Sequence, residues 1–206
     1  MAIIMEIKME NNKKLKESIE KDIWYTSTNY SNMYDRLCLR NNVSKFLIVY
    51  YSVIAIVNSI LPKYIENIKI KAYIFDFSSV IISVILLVAS LSVSLANYPE
   101  RTLKAMEAID KLKRMKKDLI TYSEEDLIED NYKVFKELTQ RYHDVVDNME
   151  LRSNFDYYKT CKKLKNNREK FTIGECVKFS LLNIMEISIY IILIIAPIIF
   201  YFGNFI

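Results

Sequence analysis

The sequence predicts an all-α membrane protein: a transmembrane helical hairpin, a long cytoplasmic helical region resembling a coiled coil, and a third, C-terminal transmembrane helix. Only two Gly and three Pro interrupt the 206 residues, and a chain with so few helix breakers favours helices throughout. Long uncharged runs alternate with strongly charged stretches, although the whole chain is 51% hydrophobic and 26% charged. One charged stretch repeats apolar residues every seven positions, as coiled coils do.

The segment 77–99 is the most distinct of the uncharged runs. A run of about 23 residues crosses a hydrocarbon core of roughly 30 Å as a slightly tilted α-helix. A single helix also satisfies all of its backbone hydrogen bonds inside a bilayer. We therefore predict a transmembrane helix here.

The polar side chains of this helix lie on one narrow stripe, with Leu86 in its middle. At about 100° per residue, their spacing keeps them on a single face. The polar members are Ser79, Ser83, Ser90, Ser94 and Asn97. In one interpretation, these small polar residues let another helix approach closely and hydrogen-bond across the contact. In the other, the stripe lines a water-filled pore in an oligomer, with Leu86 as a hydrophobic constriction that closes by dewetting.

The chain before this helix is expected to contain cytoplasmic amphipathic helices over 1–45 and a first span. Apolar residues recur at near-helical spacing between Lys, Glu and Asp in the N-terminal part. An uncharged run then begins at Phe46. Because it is short for a span, we extend it to 46–63 and expect Lys45 to snorkel at its end. With 77–99 it forms a hairpin over 46–99.

The region 100–178 carries many basic residues balanced by almost as many acidic ones. It predicts two helices, at about 99–122 and 124–165, and the second has a heptad pattern. This pattern predicts a partner, which is either the preceding helix or another subunit. The candidate oligomerisation stripe comprises Ile128, Phe135, Leu138, Tyr142, Val145 and Met149.

The last apolar segment, 179–206, is interpreted as a third span that Pro197 bends. Glu186 is its one ionisable residue close to membrane depth, and such residues are candidates for function. A simpler interpretation places Glu186 at the interface, paired with Lys178. Basic residues are concentrated beside the spans at both ends of 100–178, so this region and the N-terminus are expected in the cytoplasm.

No catalytic or metal-binding constellation is recognisable, and we expect no enzymatic activity, no cofactor and no metal site. His143 is the sole histidine, and no second histidine or cysteine stands at ligand spacing from it. Two glycines do not provide a nucleotide-cradling loop. The net charge of +4 is a small difference between 29 basic and 25 acidic residues, so no direct nucleic-acid binding is expected.

The order of these features resembles the SLATT family, the SMODS and SLOG-associating two-transmembrane effectors of bacterial conflict systems. The resemblance covers roughly residues 14–164, and the third span lies outside the two-span core. The features that carry it are Arg36-Leu37-x-x-Arg40, the span entering at Phe46, the serine-bearing span, the basic helix from Arg101 to Lys117, and Asn154-Phe155-Asp156-Tyr157 within 142–159.

The resemblance implies a multi-pass protein of the bacterial cell membrane that acts in antiphage defence. It implies a homo-oligomer that opens a pore and depolarises the infected cell when a partner defence protein or a signalling nucleotide activates it. Its other partner is membrane lipid. Two alternatives stay open: a non-conducting adaptor that recruits a cytosolic partner through the heptad helix, and a sensor that binds a nucleotide at the basic cluster 113–117.

Overall fold

The computed structural model describes residues 2–64, 72–121, 131–150, 153–163 and 173–205. These residues form helices without any strand, so the predicted all-α class is confirmed for the described chain. The helices are α1 (Ala2–Tyr64), α2 (Ala72–Ala96), α3 (Tyr98–Thr121), α4 (Asn131–Asp147), α5 (Asn154–Lys163) and α6 (Ile173–Phe205). Three stretches are long and apolar enough to cross a membrane, within Lys13–Ile60, Tyr73–Thr121 and Val177–Ile199. The chain is therefore a membrane protein.

The N-terminal region and the first span form one continuous helix of 63 residues, α1. No Gly or Pro precedes Pro62, so nothing in the sequence interrupts the helical backbone before the end of the span. Separate amphipathic helices before the span are thus not formed.

Asn97 separates α2 from α3. Its φ of 45° lies in the left-handed region, which asparagine tolerates better than most residues. Its N–H still bonds the Ser94 carbonyl at 3.2 Å, and α3 restarts at Tyr98. Pro99 is then accommodated in the first turn of α3, where a backbone N–H is not required.

The predicted continuous helix 124–165 is wrong, because α4 ends at Asp147 and α5 begins at Asn154. The Asn148 side chain donates to the Asp144 carbonyl at 2.6 Å, a side-chain bond that competes with helix continuation. Ser153 then starts α5, since its Oγ accepts from the N–H of Phe155 at 3.2 Å. Ile128 and the predicted start of the heptad helix lie outside the described residues.

The chain packs as two units. The first contains residues 1–36 and 100–169, and the second contains 37–99 and 170–206. The division within α1 therefore falls before the predicted boundary at residue 45.

The first unit buries one face of α1 against α3, α4 and α5. Leu119 of α3 packs with Phe135 and Leu138 of α4, and Ile19 of α1 packs on this cluster. The largest fully buried apolar residues of this unit are Ile23, Tyr30, Met33, Leu112 and Leu119.

The second unit consists of the C-terminal part of α1 with α2 and α6. Asn58 is completely buried in α1 and donates to the Ser78 hydroxyl of α2 at 3.1 Å. Most apolar side chains of these helices are exposed, as expected for surfaces that face lipid.

Candidate functional site

The polar stripe of α2 is shared between packing inside the chain and the exposed surface. Ser79 faces α1, where its hydroxyl donates to the Ala55 carbonyl at 3.2 Å. Ser83, Ser90 and Ser94 are exposed. The structure therefore brings only the first serine of the stripe to a helix contact, and the other three remain on one open side of a spanning helix.

Leu86 faces the interior of the second unit. It is half-buried and lines an apolar cavity of about 270 Å³. At about 100° per residue, Leu86 lies roughly 50° around the helix from the line through Ser83 and Ser90. The lining residues come from three helices: Ser44, Leu47, Ile48 and Tyr51 of α1; Ile82, Ile85, Leu86, Ala89 and Val93 of α2; and Leu193 of α6.

Two tyrosine hydroxyls of α1 bind main-chain carbonyls of α6 beside Pro197. A proline inside a helix has no N–H for the carbonyl four residues before it, which here belongs to Leu193. Tyr51 donates to this carbonyl at 2.7 Å, and Tyr50 donates to the next one, Ile194, at 3.0 Å. The Leu193 carbonyl, which lacks a helical donor because of Pro197, thus joins the third span to the first through a hydrogen bond.

Glu186 of α6 pairs with Arg40 of α1, and the expected pairing with Lys178 is corrected. The Arg40 Nε lies 2.8 Å from the Glu186 Oε1, and the Tyr190 hydroxyl donates to the same oxygen at 3.5 Å. Both charged side chains are about one-third exposed, at 35% and 31%. The pair thus fixes the N-terminal part of α6 against α1.

The first unit contains a buried polar network between α1 and α5. Arg36 and Asp156 form a two-pronged ion pair with distances of 3.1 and 2.8 Å. Asp156 is fully buried and Arg36 is 14% exposed. Asn32 donates to the Asp156 carbonyl at 3.1 Å and to the Thr160 hydroxyl at 2.9 Å. Thr160 in turn donates to the Asn29 Oδ1 at 2.6 Å.

Arg36 and Asp156 are recognisable in the sequence as family features, but their pairing was not predicted, and neither were the roles of Asn29, Asn32 and Thr160. The spacing of polar residues along α1 contained a signal for this network. Asn29, Asn32 and Arg36 recur at three and four residues, which places them on one face of α1. That face also carries buried apolar residues, and polar groups on a buried face require partners.

The members of the heptad stripe on α4 pack inside the first unit, and Met149 lies beyond the end of α4, where its N–H bonds the Val146 carbonyl at 3.2 Å. Phe135, Leu138 and Val145 are buried, and Tyr142 is half-buried, with its hydroxyl 2.8 Å from the hydroxyl of Thr26 of α1. The pattern allowed either the preceding helix or another subunit as the partner. Within one chain, the preceding helix α3 packs against this stripe together with α1.

The basic cluster of α3, residues 113–117, is largely exposed. Lys116 is the member drawn into the fold, with its Nζ 3.3 Å from the Glu20 Oε1. Earlier on the same helix, a hydrogen bond to Glu100 raises the pKa of Lys104. The exposed positive charge is therefore concentrated at Lys113, Arg114 and Lys117.

A separate concavity of about 400 Å³, which is polar, lies between α1 and the start of α5. It presents two phenol rings, two amides, one hydroxyl, one ammonium group and one carboxylate, which is a set able to bind a ring-bearing polar molecule. Its lining residues are Lys21, Asp22, Tyr25, Asn29, Ser153, Asn154 and Tyr157. Asn29 belongs to this lining and to the buried network.

A family model described as SMODS and SLOG-associating 2TM effector domain family 5 matches residues 12–203. This match includes α6, so the third span that the sequence analysis left outside the core falls within the family's extent. Comparisons with curated proteins and with solved structures gave no match.

Proposed function

Because the chain belongs to the SMODS and SLOG-associating 2TM effector domain family 5, we propose that it is an oligomeric pore-forming membrane effector of a bacterial antiphage system. Activation by a partner protein or a nucleotide opens the pore, and the cell is depolarised. The family places the chain among membrane effectors associated with conflict systems. The pore, the oligomer and the activating signal are our proposals.

The observation that carries the pore is the open side of α2. Ser83, Ser90 and Ser94 are exposed on one side of a helix that has no charged residue in its spanning part. The Ser83 hydroxyl donates to the Ser79 carbonyl of its own helix at 2.8 Å, and a side of a spanning helix that carries several hydroxyls suits the wall of a water-filled path at the axis of an oligomer. We therefore place these serines on the pore wall.

Leu86 supplies the constriction in this proposal. It now packs into the cavity lined by α1 and α6, about 50° from the Ser83–Ser90 line. A rotation of α2 by about 50° moves Leu86 to the pore axis and turns the serines away from it. Rotation is a recognised way for packed helices to switch between two arrangements.

The signal enters through the first unit. The concavity lined by Tyr25, Asn29 and Tyr157 offers aromatic faces, amides and Lys21 to a nucleotide. Asn29 links this surface to Thr160, and the same network includes Arg36 of α1. Since α1 continues to Tyr64, a ligand that alters this network acts on the helix that forms the first span.

The test is inducible expression in bacteria with a membrane-potential dye. We compare the wild type with Ser90→Leu and with Ser92→Leu at matched membrane levels. Ser92 is also exposed but lies roughly 160° around the helix from Ser90. Loss of depolarisation by Ser90→Leu alone supports the pore wall, and equal activity of both variants contradicts it.

The adaptor alternative gives a different result. An adaptor does not depolarise the cell even when the partner genes are expressed with it, and the purified chain does not release ions from liposomes. Liposome efflux measured with the partner present therefore separates a channel awaiting its signal from a protein that conducts nothing.

A further inference from the structure

The cavity beside Leu86 has the form of a narrow apolar slot within the membrane spans. It extends along α1 from Ser44 to Tyr51 and along α2 from Val93 to Ile82. At 1.5 Å per residue these stretches are about 10 to 16 Å long. Its volume is about 270 Å³, whereas a 10 Å length of α-helix occupies roughly 800 Å³. An α-helix is about 10 Å across and does not fit, whereas one alkyl chain does.

The lining is apolar along its length and polar at one end. Its wall is formed by apolar side chains, among them Leu47, Ile48, Ile85 and Val93. On α1 the slot ends at Ser44. The next residue, Lys45, is exposed, and none of the ion pairs among the described residues includes it. An apolar slot that ends next to an exposed lysine in the sequence matches an acyl chain whose headgroup carries a phosphate.

The surroundings of the slot supply such a molecule. All three helices that line it contain the stretches long and apolar enough to cross a membrane, so bilayer lipid is the medium at this depth. Ser44 and Lys45 lie near the end of the hairpin at which α2 leaves the span. The phospholipid would therefore come from the leaflet at that end.

We propose that the slot formed by α1, α2 and Leu193 binds one acyl chain of an anionic phospholipid, with Lys45 contacting the lipid phosphate. The bound chain packs against Leu86 and supports α2 in the arrangement described here. This inference requires membrane insertion but does not depend on pore formation.

The test uses the full-length protein in nanodiscs of phosphatidylglycerol and phosphatidylcholine, transferred to detergent and measured by native mass spectrometry. The wild type is expected to retain about one phospholipid per chain. Ala89→Phe fills the slot from its half-buried wall and is expected to lower retention at least about tenfold. Leu87→Phe also introduces a phenyl ring, but at a site that is 62% exposed, and is expected to retain the lipid.

A second variant tests the headgroup without changing the packing. Lys45→Gln is expected to reduce the preference for phosphatidylglycerol over phosphatidylcholine about fivefold, the contribution of one basic residue. Absence of retained lipid in the wild type, or equal retention by Ala89→Phe, overturns the proposal. If Ala89→Phe instead dissociates an oligomer in the same spectra without changing lipid count, the slot holds a second copy of the chain and the lipid proposal is wrong.

Discussion

The hydroxyl of Tyr51 donates a hydrogen bond of 2.7 Å to the main-chain carbonyl of Leu193, the carbonyl that Pro197 deprives of its helical donor. No water is present in the bilayer core to replace that donor. A side chain of the first span thus compensates for a proline in the third. This relationship makes the third span an integral part of the membrane unit.

Replacing Tyr51 with Phe is predicted to loosen α6 from α1. The loss leaves the Leu193 carbonyl without a donor, and polar contacts between membrane helices contribute roughly 0.6 to 1.7 kcal/mol. Thermal unfolding of the detergent-solubilised chain measures the change.

The matched background for this variant is Pro197→Ala, which restores an N–H to the helix. In that background Tyr51→Phe is expected to cost clearly less, because the Leu193 carbonyl again has a helical donor. An equal loss in both backgrounds would show that Tyr51 acts through its packing and not through the proline.

Removing Asp156 is predicted to destabilise the first unit strongly. Asp156→Ala leaves Arg36, which is 14% exposed, without its counter-charge, and breaking one side of a buried ion pair costs about 3 to 5 kcal/mol. Loss of thermal stability and of protease resistance in α4 and α5 would report it.

The control for this variant is an ion pair of the same geometry at the surface. Arg101 and Glu150 also form a two-pronged pair, with both distances 2.8 Å, but each side chain is 36% exposed. Glu150→Ala is expected to cost no more than about 1 kcal/mol. If the two variants are equally destabilised, burial is not the source of the effect at Asp156.

Replacing Asn41 with Leu is predicted to stabilise the chain. The Asn41 Oδ1 is buried and has no hydrogen-bond partner among the described residues, and such an acceptor costs about 1 to 3 kcal/mol. The neighbouring Asn42 is exposed, so Asn42→Leu should leave the melting temperature nearly unchanged. A lower melting temperature for Asn41→Leu would mean that the Asn41 amide makes stabilising hydrogen bonds, which the substitution removes.

A nucleotide signal is predicted to bind beside α5 and not at the basic cluster of α3. Tyr157→Ala and Lys21→Gln remove a ring and the ammonium group from the concavity, and should weaken binding in titrations with cyclic and linear purine nucleotides. Lys113→Gln changes charge equally on an exposed part of α3 and should not. If Lys113→Gln is the only variant that weakens nucleotide binding, the nucleotide site lies at the basic cluster 113–117.

Hydrophobic periodicity and the shortage of helix breakers were enough to predict the helical class and the three spans. They did not predict the break after Asp147. Heptad spacing continues from Tyr142 to Met149, while the break arises from local side-chain bonds of Asn148 and Ser153. Such bonds are weak signals in a sequence because the same residues also occur on exposed helix surfaces.

The polar contacts between helices were the least predictable part of the candidate site. The pairs Arg36–Asp156 and Arg40–Glu186 join residues 120 and 146 positions apart, and no local pattern encodes which charge meets which. The stripe on α2 was visible in the sequence, but which of its members faces α1 depends on helix packing. Ser79 and Leu86 turned inward, whereas Ser83 and Ser90 did not.

Leu86 provides the last prediction, because the proposed constriction depends on its side chain. Leu86→Ser replaces an apolar barrier with a hydroxyl, which lowers the cost of wetting a narrow pore, and should depolarise cells on induction without any partner. Leu95→Ser makes the same chemical change at an exposed residue roughly 120° around the helix from the proposed pore wall and should not. Both variants need to reach the membrane at equal levels, measured by quantitative blotting. If Leu86→Ser is expressed and assembled yet leaves conductance and toxicity unchanged, Leu86 is a packing residue of the slot and the constriction lies elsewhere.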